Sequence, residues 1–180
     1  FDEAAARYRF VLRGDPGFTH AVVDLGRVLQ AAGHDGEAER TYLLEPSDPD
    51  AVEALGRLYL EQERWPEAIR QLERLTNLRM GWHTAELLLA RARAGVDPEA
   101  AEESLRRSLD LSGVELDGDL LAAAMAVHDA LREEHPDRAR QLLEDLVQRW
   151  PEAEVIEELE ERLLLARVQE ETADATGMTL

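Results

Sequence analysis

Apolar residues along this 180-residue chain recur at helical rather than alternating spacing. Ala51, Leu55, Leu58 and Tyr59 show the pattern, since steps of three and four fall on one face of a helix. Punctuation falls where helices should start: Asp48-Pro49, Trp65-Pro66, Asp97-Pro98 and His135-Pro136. Proline is tolerated at the first helical position because that N–H has no partner inside the helix. Gly33, Gly36, Gly95 and Gly113 mark turns. Together these signals predict helices at 2–13, 19–32, 36–44, 50–62, 66–78, 83–94, 98–111, 119–134, 137–149 and 152–171, and no strands. Residues 47–50 read as a turn rather than a linker, and 112–118 as the longest loop. Helical periodicity resumes in phase after that loop, which predicts one continuous array.

The helices repeat. A small residue followed four positions later by a large one occurs at Ala4/Tyr8, Ala38/Tyr42, Ala68/Leu72, Ala101/Leu105 and Ala139/Leu143. The steps are 34, 30, 33 and 38 residues. A second ladder lies about twelve residues upstream of its later members, at Leu25-Gly26, Leu55-Gly56, Leu89-Ala90 and Ala126-Val127. This double ladder resembles the tetratricopeptide repeat, a helix-turn-helix unit of about 34 residues. Residues 49–80 match best, with Leu55, Gly56, Tyr59, Ala68 and Leu72 at the repeat's spacing. Residues 83–111 and 119–151 match more loosely, because Ala90 and Val127 stand where the repeat has Gly.

The resemblance implies an all-α fold, a right-handed α-solenoid of stacked helix pairs. A Gly or Ala at the crossing of two helices lets the backbones approach, and the large residue fills the adjoining gap. Each unit leaves an apolar face that only a neighbour can cover. The expected organisation is one solenoid over 1–172, with a partial repeat at 1–18 and repeats at about 19–47, 48–82, 83–118 and 119–151. A capping helix at 152–171 and a flexible tail at 173–180 complete it. The last helix keeps one apolar stripe, Val155, Ile156, Leu159, Leu163, Leu164 and Val168, amid many Glu residues. It reads either as the polar-backed cap that a solenoid end needs or as a helix that binds a partner. The chain starts without Met, inside what reads as a helix, so the expectation is a fragment of a longer protein or a processed product.

Composition narrows the function. There are 39 acidic and 20 basic side chains, a net charge of −19, and every basic one is Arg. Arg without Lys fits a high-GC coding bias and hence a bacterial source. The acidity argues against nucleic acid, which needs a net basic surface, and against anionic membranes. Hydrophobic residues at 44 % suffice for a core, but aromatics at 5 % mean that Leu, Ala and Val must build it. The absence of Cys excludes disulfides, thiolate metal sites and a cysteine nucleophile. No apolar run approaches the roughly 20 residues of a membrane span. The N-terminus lacks the basic and apolar regions of a signal peptide, so a cytoplasmic protein is expected.

Catalytic chemistry is not evident. His20, His34, His83, His128 and His135 form no His-Glu-x-x-His pair. None of the serines sits in a Gly-x-Ser-x-Gly elbow, and no phosphate-binding glycine loop is present. Asp117-Gly118-Asp119 lacks the spaced ligands of a calcium loop and reads as a turn with a helix N-cap. The nearest thing to an acid–base pair is His128 with Glu133 or Glu134. No enzyme, cofactor or metal site is expected.

The resemblance also implies a site. In tetratricopeptide folds the first helix of each unit lines a concave groove, and the position after the small residue points into it. Here that position holds Arg27, Arg57, Arg91 and His128. The same overlay adds His20, Val23, Asp24, Glu53, Leu60, Glu61, Thr84, Leu87, Leu88, Ala124, Leu131 and Arg132. Guanidinium groups can hold carboxylates through two parallel hydrogen bonds, so such a column suits a partner with acidic groups. The Arg residues can equally pair inside the chain with Asp24, Glu53, Glu61 or Glu86. Trp65, Trp82 and Trp150 fall at helix boundaries and read as packing residues, with Trp82, after Gly81, the best candidate for an exposed anchor. The expected function is a non-catalytic scaffold that binds a partner peptide or helix. The alternative is a structural or self-associating segment of a larger protein.

Overall fold

The computed structural model describes residues 1–15, 17–111, 114–152, 157, 159–165 and 168. Among the described residues nine α-helices run in order: α1 (Asp2–Gly14), α2 (Thr19–Ala31), α3 (Asp35–Tyr42), α4 (Pro49–Glu61), α5 (Trp65–Leu78), α6 (His83–Ala94), α7 (Pro98–Asp110), α8 (Gly118–Leu131) and α9 (Pro136–Arg149). Residues 159–165 are also helical, and no strand occurs among the described residues. The main boundary difference is at α8, which stops at Leu131 because Arg132–Glu134 form a turn instead of its last residues. Of the expected capping helix, 153–156, 158, 166–167 and 169–171 lie outside the described residues, as do the turn glycine Gly113 and the 173–180 tail.

Local chemistry sets the helix starts. The Asp48 carboxylate accepts from the N–H groups of Asp50 (2.9 Å) and Ala51 (3.0 Å), with Pro49 at the first turn. Asp97 accepts from Ala100 N–H (3.0 Å) and Asp117 from Leu120 N–H (2.9 Å). Each satisfies a donor that the helix leaves open. The ends of α2 and α4 share one turn. Gly33 sits at φ 77° while His34 N–H donates to Leu29 C=O (2.9 Å). Glu63 sits at φ 56° while Arg64 N–H donates to Tyr59 C=O (2.9 Å). The second turn thus places an L side chain where the first uses glycine.

The helices stack as pairs α2/α3, α4/α5, α6/α7 and α8/α9, with α1 packed on α2. Crossing points follow the small-against-large ladder. A Cβ added to Gly26 would lie 2.2 Å from the Tyr42 ring, and one added to Gly56 would lie 2.8 Å from Leu72 Cδ2. Ala90 with Leu105, and Val127 with Leu143, are fully buried in one cluster. The core forms two clusters, one drawn from α1–α6 and one from α6 to Leu163. Helix α6 joins them, giving Leu88 and Leu89 to the first and Leu87 and Ala90 to the second. The last apolar stripe divides: Leu159 and Leu163 are buried, but Leu164 and Val168 are exposed.

Candidate partner groove

The first helices of successive pairs, α2, α4, α6 and α8, pack side by side. Between α2 and α4 opens a cavity of about 270 Å³, lined by Arg27, Gln30, Tyr42, Glu53, Ala54, Arg57 and Glu61. Four of these are residues that the repeat overlay assigns to the groove. Arg27 lies 3.7 Å from Asp24 and is largely exposed. Arg57 Nε donates to Glu53 Oε1 (2.9 Å). Glu61 is held by Gln30 Nε2 (2.7 Å), and Gln30 Oε1 accepts from the Tyr42 hydroxyl (3.2 Å). Burial pushes the Tyr42 hydroxyl up to about 12, so it stays protonated and donating at neutral pH.

Arg57 also reaches out of this cavity. Its Nη1 and Nη2 donate to Asp119 Oδ1 (3.2 Å) and Oδ2 (2.8 Å), a two-pronged bond from α4 to the first turn of α8. The bond lowers the Asp119 carboxyl and raises Arg57 further, while burial of each opposes the shift. The charges of Arg91 and His83 also act on Asp119. Arg91 makes no ion pair within 4 Å among the described residues, and Glu86 pairs with Arg107 (3.2 Å) instead.

The rest of the column is covered. His128 is 5 % exposed, and its Nδ1 is 3.2 Å from Asp129 Oδ1, not beside Glu133 or Glu134. Desolvation lowers its pKa, so it is held neutral. Arg162, from the helical stretch at 159–165, bonds the same Asp129 and anchors that stretch beside it. Arg132 approaches Asp129 at 3.9 Å and is exposed. Val23, Leu60, Leu87, Leu88, Ala124 and Leu131 are buried in the core. An apolar side chain on a first helix turns toward the neighbouring helix, so the open surface is left to the polar positions.

Trp65 packs against α6, where a Cβ at Gly95 would lie 3.0 Å from its ring. Trp150 packs on the second cluster, with the Arg149 guanidinium 4.7 Å from its ring centre. Trp82 is partly buried against the first cluster, with Arg79 4.6 Å from its ring centre. It lines a cavity of about 250 Å³ with Thr76, Arg79, Gly81, Glu86, Arg107, Asp110 and Leu111. No group of three or more His, Asp or Glu is placed to hold a metal among the described residues. No helix among them is long and apolar enough to cross a membrane.

Residues 20–81 match the family model for the tetratricopeptide repeat. Among solved structures, the chain is similar to the crystal structure of MamA, with TM-score 0.68 and 19 % identity over 82 % of this chain and 87 % of that one. It is also similar to a thermophilic TPR protein in Thermus thermophilus, with TM-score 0.61 and 17 % identity over 93 % of this chain and 90 % of that one. At these identities the likeness shows the fold. No curated protein matches the chain in sequence.

Proposed function

Because the chain is a tetratricopeptide-repeat protein, we propose that it is a non-catalytic scaffold that holds an extended or helical segment of a partner protein against α2, α4 and α6. The supporting observation is the row of Arg27, Arg57 and Arg91 on successive first helices of an otherwise acidic molecule. Arg27 and Arg57 line one cavity, and Arg91 has no ion pair among the described residues. Such guanidinium groups favour a partner with acidic side chains. Asp24, Glu53 and Glu61 orient the Arg residues or meet donors of the partner, and Arg132 extends the surface. Nucleic acid and membranes are not partners in this reading, and the scaffold works in the cytoplasm. The test is affinity capture with the natural chain and with an Arg57→Glu/Arg91→Glu variant, followed by direct titration of the captured protein. The variant should stay folded and lose the partner. Unchanged binding by the variant removes the groove from the mechanism.

Exposed apolar side chains at both ends favour a second reading. Phe10 and Val11 face outward on α1, as do Leu164 and Leu165 at the far end. A self-associating segment would use these faces. Light scattering over a range of concentrations should then show oligomers, and a strict monomer eliminates this reading.

A further inference from the structure

We propose that Asp119 is a built-in occupant of the partner groove, holding on Arg57 the place that a partner's side-chain carboxylate takes when the groove is loaded. The inference rests on the groove reading above and adds to it a regulatory contact and an acidic peptide as the ligand.

Helices α4 and α8 are not neighbours in the stack, since α6 packs between them. The Arg57–Asp119 bond therefore crosses the face of α6 and joins residues 62 positions apart. It lies across the path that a segment running along the first helices must follow. Its two parallel N–H···O contacts are those by which an Arg grips any free carboxylate. The two side chains are 33 % and 36 % exposed, so solvent and a competing carboxylate reach the bond.

Exchange is built into both partners. Glu53 holds Arg57 through Nε at 2.9 Å, which keeps the guanidinium in place and leaves its Nη edge to be traded. Asp119 already lies in the field of Arg91, so on release it has another cation to turn to. The helix does not need Asp119 as a cap, because Asp117 accepts from Leu120 N–H at the start of α8. A pair this exposed competes weakly and holds the groove closed only in part.

The probe is a short fluorescent Glu-Ala peptide with blocked termini, titrated by anisotropy at physiological salt. Asp119→Asn, which keeps the shape and removes the charge, should tighten binding about fivefold. Arg57→Gln should weaken it, and adding Asp119→Asn to Arg57→Gln should give no further gain. Asp119→Ser serves as a second variant, and circular dichroism checks that each variant folds. If Asp119→Asn and Asp119→Ser bind no tighter while Arg57→Gln still weakens binding, the internal occupant is overturned and the groove reading stands. If Asp119→Asn tightens binding equally without Arg57, simple charge removal explains it and the proposal also falls. If the peptide fails to bind, or binds independently of Arg57, both readings fall.

Discussion

Replacing Gly26 by Ala tests the helix crossing on which the groove is built. The new Cβ would lie 2.2 Å from Tyr42 Cε1 and 2.7 Å from Cδ1 and Cζ, far inside contact distance. Tyr42 is fully buried and cannot give way within its site. Either α2 and α3 move apart or the ring leaves. Overpacking of a core costs about 1–3 kcal/mol. Expelling a ring of roughly 150–250 Å² costs about 4–6 kcal/mol at 25 cal/mol per Å². Against this, Ala gains about 1 kcal/mol over Gly in a helix interior. A contact this short sits at the upper end of the overpacking range, so the net loss should be about 2 kcal/mol if the helices move apart and about 3–5 kcal/mol if the ring leaves, the smaller being about 4–8 °C in Tm for a chain of this size.

Gly56→Ala is the internal control. Its Cβ would meet Leu72 Cδ2 at 2.8 Å and Cγ at 3.0 Å, at the end of a flexible side chain. Repacking of Leu72 and the helix gain nearly cancel, so the change should stay within about 1 kcal/mol. Urea unfolding followed by circular dichroism measures both variants. Adding Tyr42→Leu to Gly26→Ala should cost less than the two separate losses together, because the smaller side chain relieves the clash. Additive losses, or a larger loss at Gly56 than at Gly26, would refute the crossing geometry.

Other expectations concern single positions. Glu63→Gly should raise stability by about 0.5–1 kcal/mol in the same unfolding assay, because Glu63 holds a left-handed conformation at φ 56° that Gly33 shows to be a glycine position. His128 should make stability fall on mild acidification. Its folded pKa lies below the ordinary 6.5, so the unfolded chain takes up a proton that the folded chain refuses. The loss begins as pH drops through that ordinary value and continues down to the folded one. His128→Gln should flatten the slope of unfolding free energy as pH falls below 6.5. The depressed carboxyls of Glu39 and Asp119 also lose stability as pH falls, but their loss begins lower, near their ordinary values of 4.5 and 3.8.

Most of the fold was legible because a solenoid is a local object. Gly26/Tyr42 and Gly56/Leu72 pair within one helix hairpin, so the spacing that reveals them in the sequence is also their contact. The caps at Asp48, Asp97 and Asp117 involve donors two or three residues away. Two internal pairings followed from the same register: Arg27 meets Asp24 and Arg57 meets Glu53, as i,i+3 and i,i+4 neighbours. What escaped depends on contacts between elements far apart in the sequence. Asp119 read as part of a turn, and no local signal ties it to Arg57, which lies on a helix two units away. Gln30 and Tyr42 line the cavity through a hydrogen-bond chain whose members come from both helices of a pair. The bond from Arg162 to Asp129, beside buried His128, belongs to the same class, because its partners lie 33 residues apart.

The charge of the molecule works on two length scales, and they oppose each other. Over the whole chain −19 repels an acidic partner, but at physiological ionic strength that field is screened beyond about 8 Å. Inside the proposed groove the interaction is a matter of contact. There Arg57 is shared between Glu53 and Asp119, and Arg91 stands without an ion pair among the described residues. At Arg57 the proposed binding exchanges one carboxylate for another, while Arg91 offers a cation with no ion pair among the described residues. Such an exchange conserves the number of ion pairs, so it gains little from charge alone. On the proposed reading, selectivity comes from how well the partner's remaining surface fits between α2 and α4. The net charge then slows encounter without deciding which partner stays bound, and the internal pairs of Arg57 keep it from gripping every acidic chain that reaches it.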